Sequence, residues 1–353
     1  QPYRKLPGFA NLGGSFDLTE KGGSAVVEGK DVAVDYPALL LEPRHDFDSL
    51  AAKVAWTLAA GRADVRIDSA AVANADFSAT VSGSYHTTAT SAGHFDLTGR
   101  VPRLDGAAVH RYMPVTAPNT TAWLKRGLVA AQGTEARFRL KGDLKDFPFD
   151  DPATGAFEIA SKVADGTIEY AEGWPRITGI QGEFEINGRR LQVRTQRGTT
   201  FGVQFPKVVA VIPDIFSPRE RLQVEGVAEG QSADFLRFAI ATPVNRFTDR
   251  AFEGWTAAGP GRLTLAFDMP FADVDATKLA GAYEIRGNAV NPGVAEAALQ
   301  QVNGRMEFDR SGVTAKGVSG VWVGGPVTFD VATRAGAIRI YGSVLQLRVV
   351  EDD

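Results

Sequence analysis

The residues best suited to chemistry are spread along this chain without forming a recognisable site. The four histidines, His45, His86, His94 and His110, are never two, three or four residues apart, so no local pair of metal ligands exists. For His94 and His110 we therefore expect ordinary surface or edge positions. The 353 residues include no cysteine, which excludes disulfides, thiolate zinc sites and cysteine nucleophiles.

The carboxylates and glycines also form no recognisable metal-binding, phosphate-binding or catalytic motif. Four carboxylates fall in one short stretch: Asp143, Asp146, Asp150 and Asp151. A calcium loop would alternate acidic ligands around a glycine, but residues 147–149 interrupt this stretch, so we expect a solvated loop. The glycine-rich stretches lack the Lys-Ser/Thr of a phosphate loop, and Ser319 lacks the spacing of a nucleophile elbow. The sequence thus predicts no enzyme, metal or cofactor.

Charge and hydropathy narrow the class of protein further. The chain has 38 basic and 42 acidic residues, whereas a nucleic-acid-binding protein normally shows a basic excess. We therefore expect no nucleic-acid partner. Apolar residues make up 44% of the chain, which is enough for a sizeable core. No run of about 18 apolar residues is present, so the sequence as given contains no candidate transmembrane helix.

Alternation of apolar and polar residues is the dominant pattern and predicts the elements of the fold. It occurs at residues 137–141, 183–186, 191–194, 263–267, 283–286, 306–309 and 337–341. Each stretch predicts a strand with one apolar face, and Asn187-Gly188 predicts a hairpin turn. Together they predict a mainly β chain: an elongated, curled antiparallel β-sheet, groove-like or taco-like, built of repeated units with a few short helices.

Four short helices interrupt the predicted strands, at residues 105–113, 119–128, 232–241 and 248–257, with Ser232 as a candidate N-cap. The order of short helix, proline, tryptophan helix and strand ending in Pro-Phe occurs twice, with Pro148 and Pro270 122 residues apart. This recurrence predicts a stacked repeat architecture. We divide the chain into a first β segment (1–104), a second unit that opens with short helices (105–230) and a related third unit (231–353).

A sheet with one apolar face must bury that face, and two solutions are open at this point. The first is a closed sandwich or barrel with an ordinary core, which periodicity alone favours. The second is a curled sheet whose inner face receives a ligand. In either case the predicted inner face comprises Phe138, Leu140, Phe184, Ile186, Leu191, Val193, Leu263, Leu265, Phe267, Met306 and Phe308. The helical corners would cap, widen or gate it through Trp123, Phe235, Leu236, Phe238 and Trp255.

One long ordered phrase resembles a known family. The residues Trp123-Leu124, then 142–149 (GDLKDFPF), then Trp174-Pro175 and the hairpin start at 180–182 follow the pattern of the central region of the YhdP family. These are AsmA-like proteins of Gram-negative bacteria. The resemblance extends over residues 6–340 and is densest from 120 to 215. It carries no catalytic signature.

The resemblance implies a function of transport. Members of this family are anchored in the inner membrane, project through the periplasm and form a long β-sheet groove implicated in moving phospholipid toward the outer membrane. The resemblance therefore implies a periplasmic segment whose anchor is absent from this chain, with phospholipid acyl chains as ligand and components of both membranes as further partners. The alternative is a structural or assembly β-module of the cell envelope that binds protein partners.

Overall fold

The computed structural model describes residues 7–59, 62–87, 93–293, 297–334 and 337–344, and it confirms the predicted mainly β fold. The first strands are β1 (Gly8–Ala10), β2 (Gly13–Thr19), β3 (Gly22–Asp35), β4 (Arg44–Ala59), β5 (Arg62–Ala73), β6 (Phe77–His86), β7 (His94–Asp105), β8 (Leu128–Asp143), β9 (Gly155–Ile168) and β10 (Ile177–Asn187). The others are β11 (Arg190–Thr200), β12 (Val203–Ile212), β13 (Arg221–Gln231), β14 (Thr256–Ala258), β15 (Pro260–Pro270), β16 (Lys278–Asn291), β17 (Leu299–Asp309), β18 (Gly312–Trp322), β19 (Gly325–Arg334) and β20 (Ala337–Val344).

Helices are few and short. The α-helices are α1 (Pro118–Gly127), α2 (Ser232–Ala241) and α3 (Val244–Phe247), and 3-10 helices span Gly106–Tyr112, Leu144–Asp146 and Val274–Ala276. No helix in the described residues is both long enough and apolar enough to span a bilayer.

The chain forms two units, each with its own contacts. The first unit contains the described residues up to 170 together with 181–192, and the second contains 171–180 together with the described residues from 193 onward. In the first unit, β2 to β9 pair antiparallel in chain order, and β1 pairs with β3. In the second unit, β12, β13, β15 and β16 to β20 pair in that order, and β14 pairs with β16.

The predicted repeat is visible in the spacing of the strands. The bounds of β17, β18 and β19 lie 122 residues after those of β10, β11 and β12, with identical lengths. The helical corners do not repeat so closely, because the first has α1 where the second has only the single turn of α3. The finer division at residues 105 and 231 remains a prediction, and its outer limits, residues 1 and 353, lie outside the described ranges.

Three of the four predicted helices are present, and their ends correct some details. Helix α2 has the predicted bounds, but Gln231 is its N-cap and Ser232 lies in the first turn. Helix α1 begins one residue before its prediction, at Pro118, and has no side-chain cap. The helix predicted at 248–257 is wrong: α3 ends at Phe247, turns follow, and Trp255 precedes β14 in a non-helical conformation. With φ near +50° to +60° at Asp249 and Arg250, the backbone there leaves the helical region.

Candidate functional site

The apolar face of the first unit consists of rows of side chains that run across the strands. Residues directly opposite one another in paired antiparallel strands lie on the same face, so the register traces each row. The central row of the first unit crosses eight strands, β2 to β9, through Phe16, Ala25, Val54, Ile67, Gly83, Leu97, Leu140 and Phe157. A neighbouring row passes through Gly14, Val27, Ala52, Ala70, Val81, Gly99, Phe138 and Ile159.

Two similar rows cross the second unit. Its central row comprises Ala228, Leu263, Tyr283, Met306, Ala315 and Val331, from β13 to β19. Its neighbouring row comprises Val208, Gly226, Leu265, Gly281, Phe308 and Val313. Ala315 and Val331 belong to a small buried cluster with Ile285, Val302 and Val318. The remaining side chains of these rows are mostly half-buried.

Aromatic rings in both units lie over glycines of the neighbouring strand. A Cβ atom added to Gly99 would come within 2.0 Å of the Phe138 ring, and one added to Gly281 would come within 2.4 Å of the Phe308 ring. Each ring therefore occupies the space that a side chain would take on the paired strand. This arrangement lays both rings along the sheet, which lowers the relief of the rows at these two positions.

Within the described ranges, these apolar faces have no second layer of comparable size over them. The accessible surface of the chain is 21566 Å². A compact protein of 37.7 kDa would expose about 13,800 Å², and even two separate compact halves would expose about 16,600 Å² in total. Phe16 at the edge of the central row is 64% exposed. The sequence left two solutions open, a closed sandwich or barrel and a curled sheet with an open inner face. The exposed surface fits the curled open sheet better.

The structure places the predicted lining residues as follows. It brings Phe138 and Leu140 into adjacent rows of the first unit, and Leu263, Leu265, Met306 and Phe308 into the two rows of the second. Phe267 lies in a shorter row with Val224 and Leu279. The other four are half-buried on β10 and β11: Phe184, Ile186, Leu191 and Val193.

Sequence reasoning missed the row members on β3 to β7, including Val54, Ile67 and Leu97. A signal was present, because Val54, Trp56 and Leu58 alternate with polar or small residues as clearly as the strands that were chosen. Glycines that belong to a row, such as Gly83, cannot be recognised from this alternation because they have no side chain. They join a row only through the register, which the sequence does not reveal.

The helical corner of the first unit covers one end of its apolar face. The strap, residues 106–117, leaves β7 and passes to the loop between β3 and β4, where the Val115 amide donates to the Leu39 carbonyl at 2.9 Å. The Tyr112 ring stacks on His45 at 4.5 Å between centroids and meets Phe77 edge-on at 4.9 Å. His45, Phe47 and Val32 are buried around this contact.

A polar network holds the strap in place. The Tyr112 hydroxyl accepts from Asn74 Nδ2 at 2.8 Å and donates to Asp76 Oδ2 at 2.7 Å. Arg111 pairs with both oxygens of Asp76 at 3.0 Å. Burial, with a smaller contribution from the Asp76 carboxylate, raises the pKa of Tyr112 to about 12. The phenol is therefore neutral and available as a donor at physiological pH.

The buried part of the second unit's corner is anchored by neutral groups. Ser232 Oγ lies 2.7 Å from the Tyr283 hydroxyl and accepts from Asn288 Nδ2, also at 2.7 Å. Ser232 and Asn288 are buried, so these bonds satisfy polar groups with no access to water. The Phe235 ring packs edge-on against Tyr283 at 5.2 Å, which joins α2 to the central row.

The other predicted corner residues have peripheral positions. Phe238 on α2 packs near Trp174 and Phe201, with centroids at 5.9 and 6.5 Å, and Leu236 is half-buried. Trp123 is 41% exposed on α1 and belongs to neither row. Trp255 meets Phe252 edge-on at 5.7 Å. A role for these residues in gating remains a prediction.

The opposite face of each sheet is polar. An open cavity of ≈ 770 Å³ in the second unit has walls that include Lys207, Val227, Thr264, Ala282 and Glu307. These residues are paired with one another across the strands, so they lie on one face of the sheet. The lining also includes Leu265 and Phe308 of the neighbouring row, so the cavity is not confined to the polar face.

The histidines and aspartates that could bind a metal or act in catalysis take part in structural contacts instead. His86 and His94, separated in sequence, are cross-strand partners whose rings stack at 4.6 Å, a contact that local spacing did not predict. Asp143 and Asp151 accept from backbone amides of their own turns, and Asp150 pairs with Arg189. Within the described residues, no three His, Asp or Glu side chains are placed to hold a metal ion.

Comparison with known proteins identifies the family of this chain. The family model described as YhdP protein matches residues 1–348. The chain is also 20% identical over 235 residues to a protein of Escherichia coli (strain K12) described as intermembrane phospholipid transporter YhdP. The matched stretch covers 66% of this chain but only 18% of that relative, so this chain corresponds to a small part of its length. No solved structure matches. The resemblance noted in the sequence is thereby confirmed, and the chain belongs to the YhdP family.

Proposed function

We propose that this chain is a periplasmic segment of a bridge-like protein that shields phospholipid acyl chains while they move between the inner and outer membranes. The observation that carries the proposal is the set of apolar rows, which continue across up to eight strands and remain partly exposed. The relative described as an intermembrane phospholipid transporter supports the same class of activity.

The energetics favour a long apolar surface over a single deep pocket. Exposing an acyl chain of about 16 carbons to water costs on the order of 12 kcal/mol, at about 0.8 kcal/mol for each methylene. Strands lie about 4.8 Å apart, so a row across eight strands is about 34 Å long. One leaflet of a bilayer core is about 15 Å thick, so the row exceeds the length that one acyl chain occupies there.

The low relief of the rows suits movement along them. Rings that lie over Gly99 and Gly281 replace upright side chains, so successive positions along a row offer similar contacts. A lipid then moves in steps of about one strand spacing without leaving apolar surroundings. The headgroup stays in water at the open side. In this proposal no side chain acts as an acid, base or nucleophile, in keeping with transport as the role.

Lipid extraction from gently purified protein tests the proposal. Leu97 lies in the central row, and its neighbour Thr98 lies on the polar face opposite Arg139. We expect wild-type protein to carry phospholipid, Leu97→Glu to lose most of it, and Thr98→Glu to retain it. Lipid-free wild-type protein, or equal lipid in both variants, would contradict the proposal and favour a structural module that binds protein partners.

A further inference from the structure

Three exposed arginines form a patch on the polar face of the first unit. Arg100 on β7 lies directly opposite Arg137 on β8, and Arg139 follows two residues later on the same face of β8. All three are exposed. In the described part of the chain, none of them makes an ion pair within 4.0 Å or a side-chain hydrogen bond. We call these three residues the arginine patch.

Other basic residues on the same face, unlike the arginine patch, form ion pairs. Arg66 pairs with Asp68 at 2.7 Å, Lys141 pairs with Asp96 at 3.3 Å, and Lys162 pairs with Glu135 at 2.7 Å. Like charges placed directly opposite one another destabilise a sheet. The pair of Arg100 and Arg137 therefore opposes folding, and no carboxylate among the described residues forms an ion pair with either of them. Such a feature is expected where a surface serves binding at the expense of stability.

The surroundings of the arginine patch leave it accessible. Its cross-strand neighbours are small: Thr80 lies opposite Arg100, Ala160 lies opposite Arg137, and Thr98 lies opposite Arg139. Glu158 also lies opposite Arg139 but forms no ion pair with it. The patch is thus a flat platform with a local excess of positive charge. Guanidinium groups in such a setting bind carboxylates through paired hydrogen bonds.

We propose that the arginine patch docks an extended acidic segment of a protein partner. Arg137 and Arg139 are two residues apart on one strand, about 6.8 Å along its axis, and the same distance separates alternate carboxylates on an extended peptide. Because Asp96, Glu135 and Glu158 border the patch, its positive surface is narrow, which suits one extended chain better than the broad surface of an anionic bilayer. This surface lies on the face opposite the apolar rows, so the inference goes beyond the proposed transport.

Binding of a defined peptide tests the inference. The probe is a fluorescent ten-residue peptide of alternating Glu and Thr, measured by anisotropy at low salt, with a Gln-and-Thr peptide as the uncharged control. We expect R100Q/R137Q/R139Q to weaken binding at least tenfold. The matched variant R66Q/K141Q/K162Q removes as many charges from the same face but takes them from ion pairs, and we expect it to change binding less than twofold.

A thermal melt separates docking from a structural role. Relief of the repulsion between Arg100 and Arg137 should raise the melting temperature of Arg137→Gln by a few degrees. Equal weakening by both triple variants, equal binding of the Gln peptide, or a lower melting temperature for Arg137→Gln would overturn the inference. Binding to phosphatidylglycerol vesicles in place of the Glu peptide would also overturn it, because it would assign the patch to a membrane.

Discussion

The two helical corners solve the same problem with different chemistry. Each brings a helix against the apolar face of its unit, and each satisfies the polar groups at that contact with a tyrosine hydroxyl and an asparagine amide. The strap adds a charged pair, Asp76 with Arg111, whereas the α2 corner uses the neutral, buried Ser232 and Asn288. The strap should therefore respond to salt, and the α2 corner should respond mainly to loss of a buried hydrogen bond.

The largest effect is expected at the neutral corner. Asn288→Ala removes one of the two hydrogen bonds of the buried Ser232 Oγ, which keeps its bond with Tyr283, and it removes the acceptor of the part-buried Arg286 amide. We expect this change to lower the free energy of unfolding of the second unit by about 3 kcal/mol. Urea denaturation followed by tryptophan fluorescence measures it. The exposed Asn303→Ala serves as control, and a change of similar size there would remove the distinction between buried and exposed asparagines.

A smaller effect is expected at the charged corner. Arg111→Gln removes the ion pair with Asp76 and should destabilise the first unit by about 0.5 kcal/mol at low ionic strength. Because salt screens an exposed pair, the difference between wild type and variant should shrink as salt is added. Denaturation at two salt concentrations measures this. A difference that is independent of salt would show that the guanidinium acts through packing.

The smallest effect is a pH dependence confined to alkaline solution. The pKa of Tyr112 is raised to about 12 in the folded chain, above the usual value near 10. The protonated phenol is thus favoured by folding, so its contribution to stability is complete below pH 10 and is lost as the pH rises through 12. The phenolate absorbance of wild type minus that of Tyr112→Phe reports this titration. A midpoint near 10 would mean that the strap leaves the hydroxyl in water.

The sequence predicted the strands better than their register. Alternation at residues 137–141 identified a strand whose apolar and charged side chains do point to opposite faces. Positive φ angles at Glu135 and Asp165, however, accompany register shifts between β8 and β9. A bulge of this kind changes which residues share a face, and no residue type marks its position reliably. The glycine members of the rows and the arginine patch depend on that register.

Helix prediction failed where tertiary contacts decide the outcome. Helix α2 has an apolar stripe and was predicted with its correct bounds, but the Ser232 hydroxyl is used by Tyr283 and Asn288 and does not cap the helix. Turns before Trp255 replace the helix predicted at residues 248–257. The last part of that range cannot be helical because Thr256 and Ala257 belong to β14, which pairs with β16. Local propensity cannot anticipate partners that are distant in sequence.

Photocrosslinking from single side chains in cells tests the central claim most directly. The claim is that the apolar rows, and not the polar face, hold acyl chains. A photoreactive residue at Leu140 or Leu265 should label phospholipid, whereas one at the adjacent Arg139 or Thr264, on the other face, should not. Labelling of lipid from all four positions, or from none, would contradict the account.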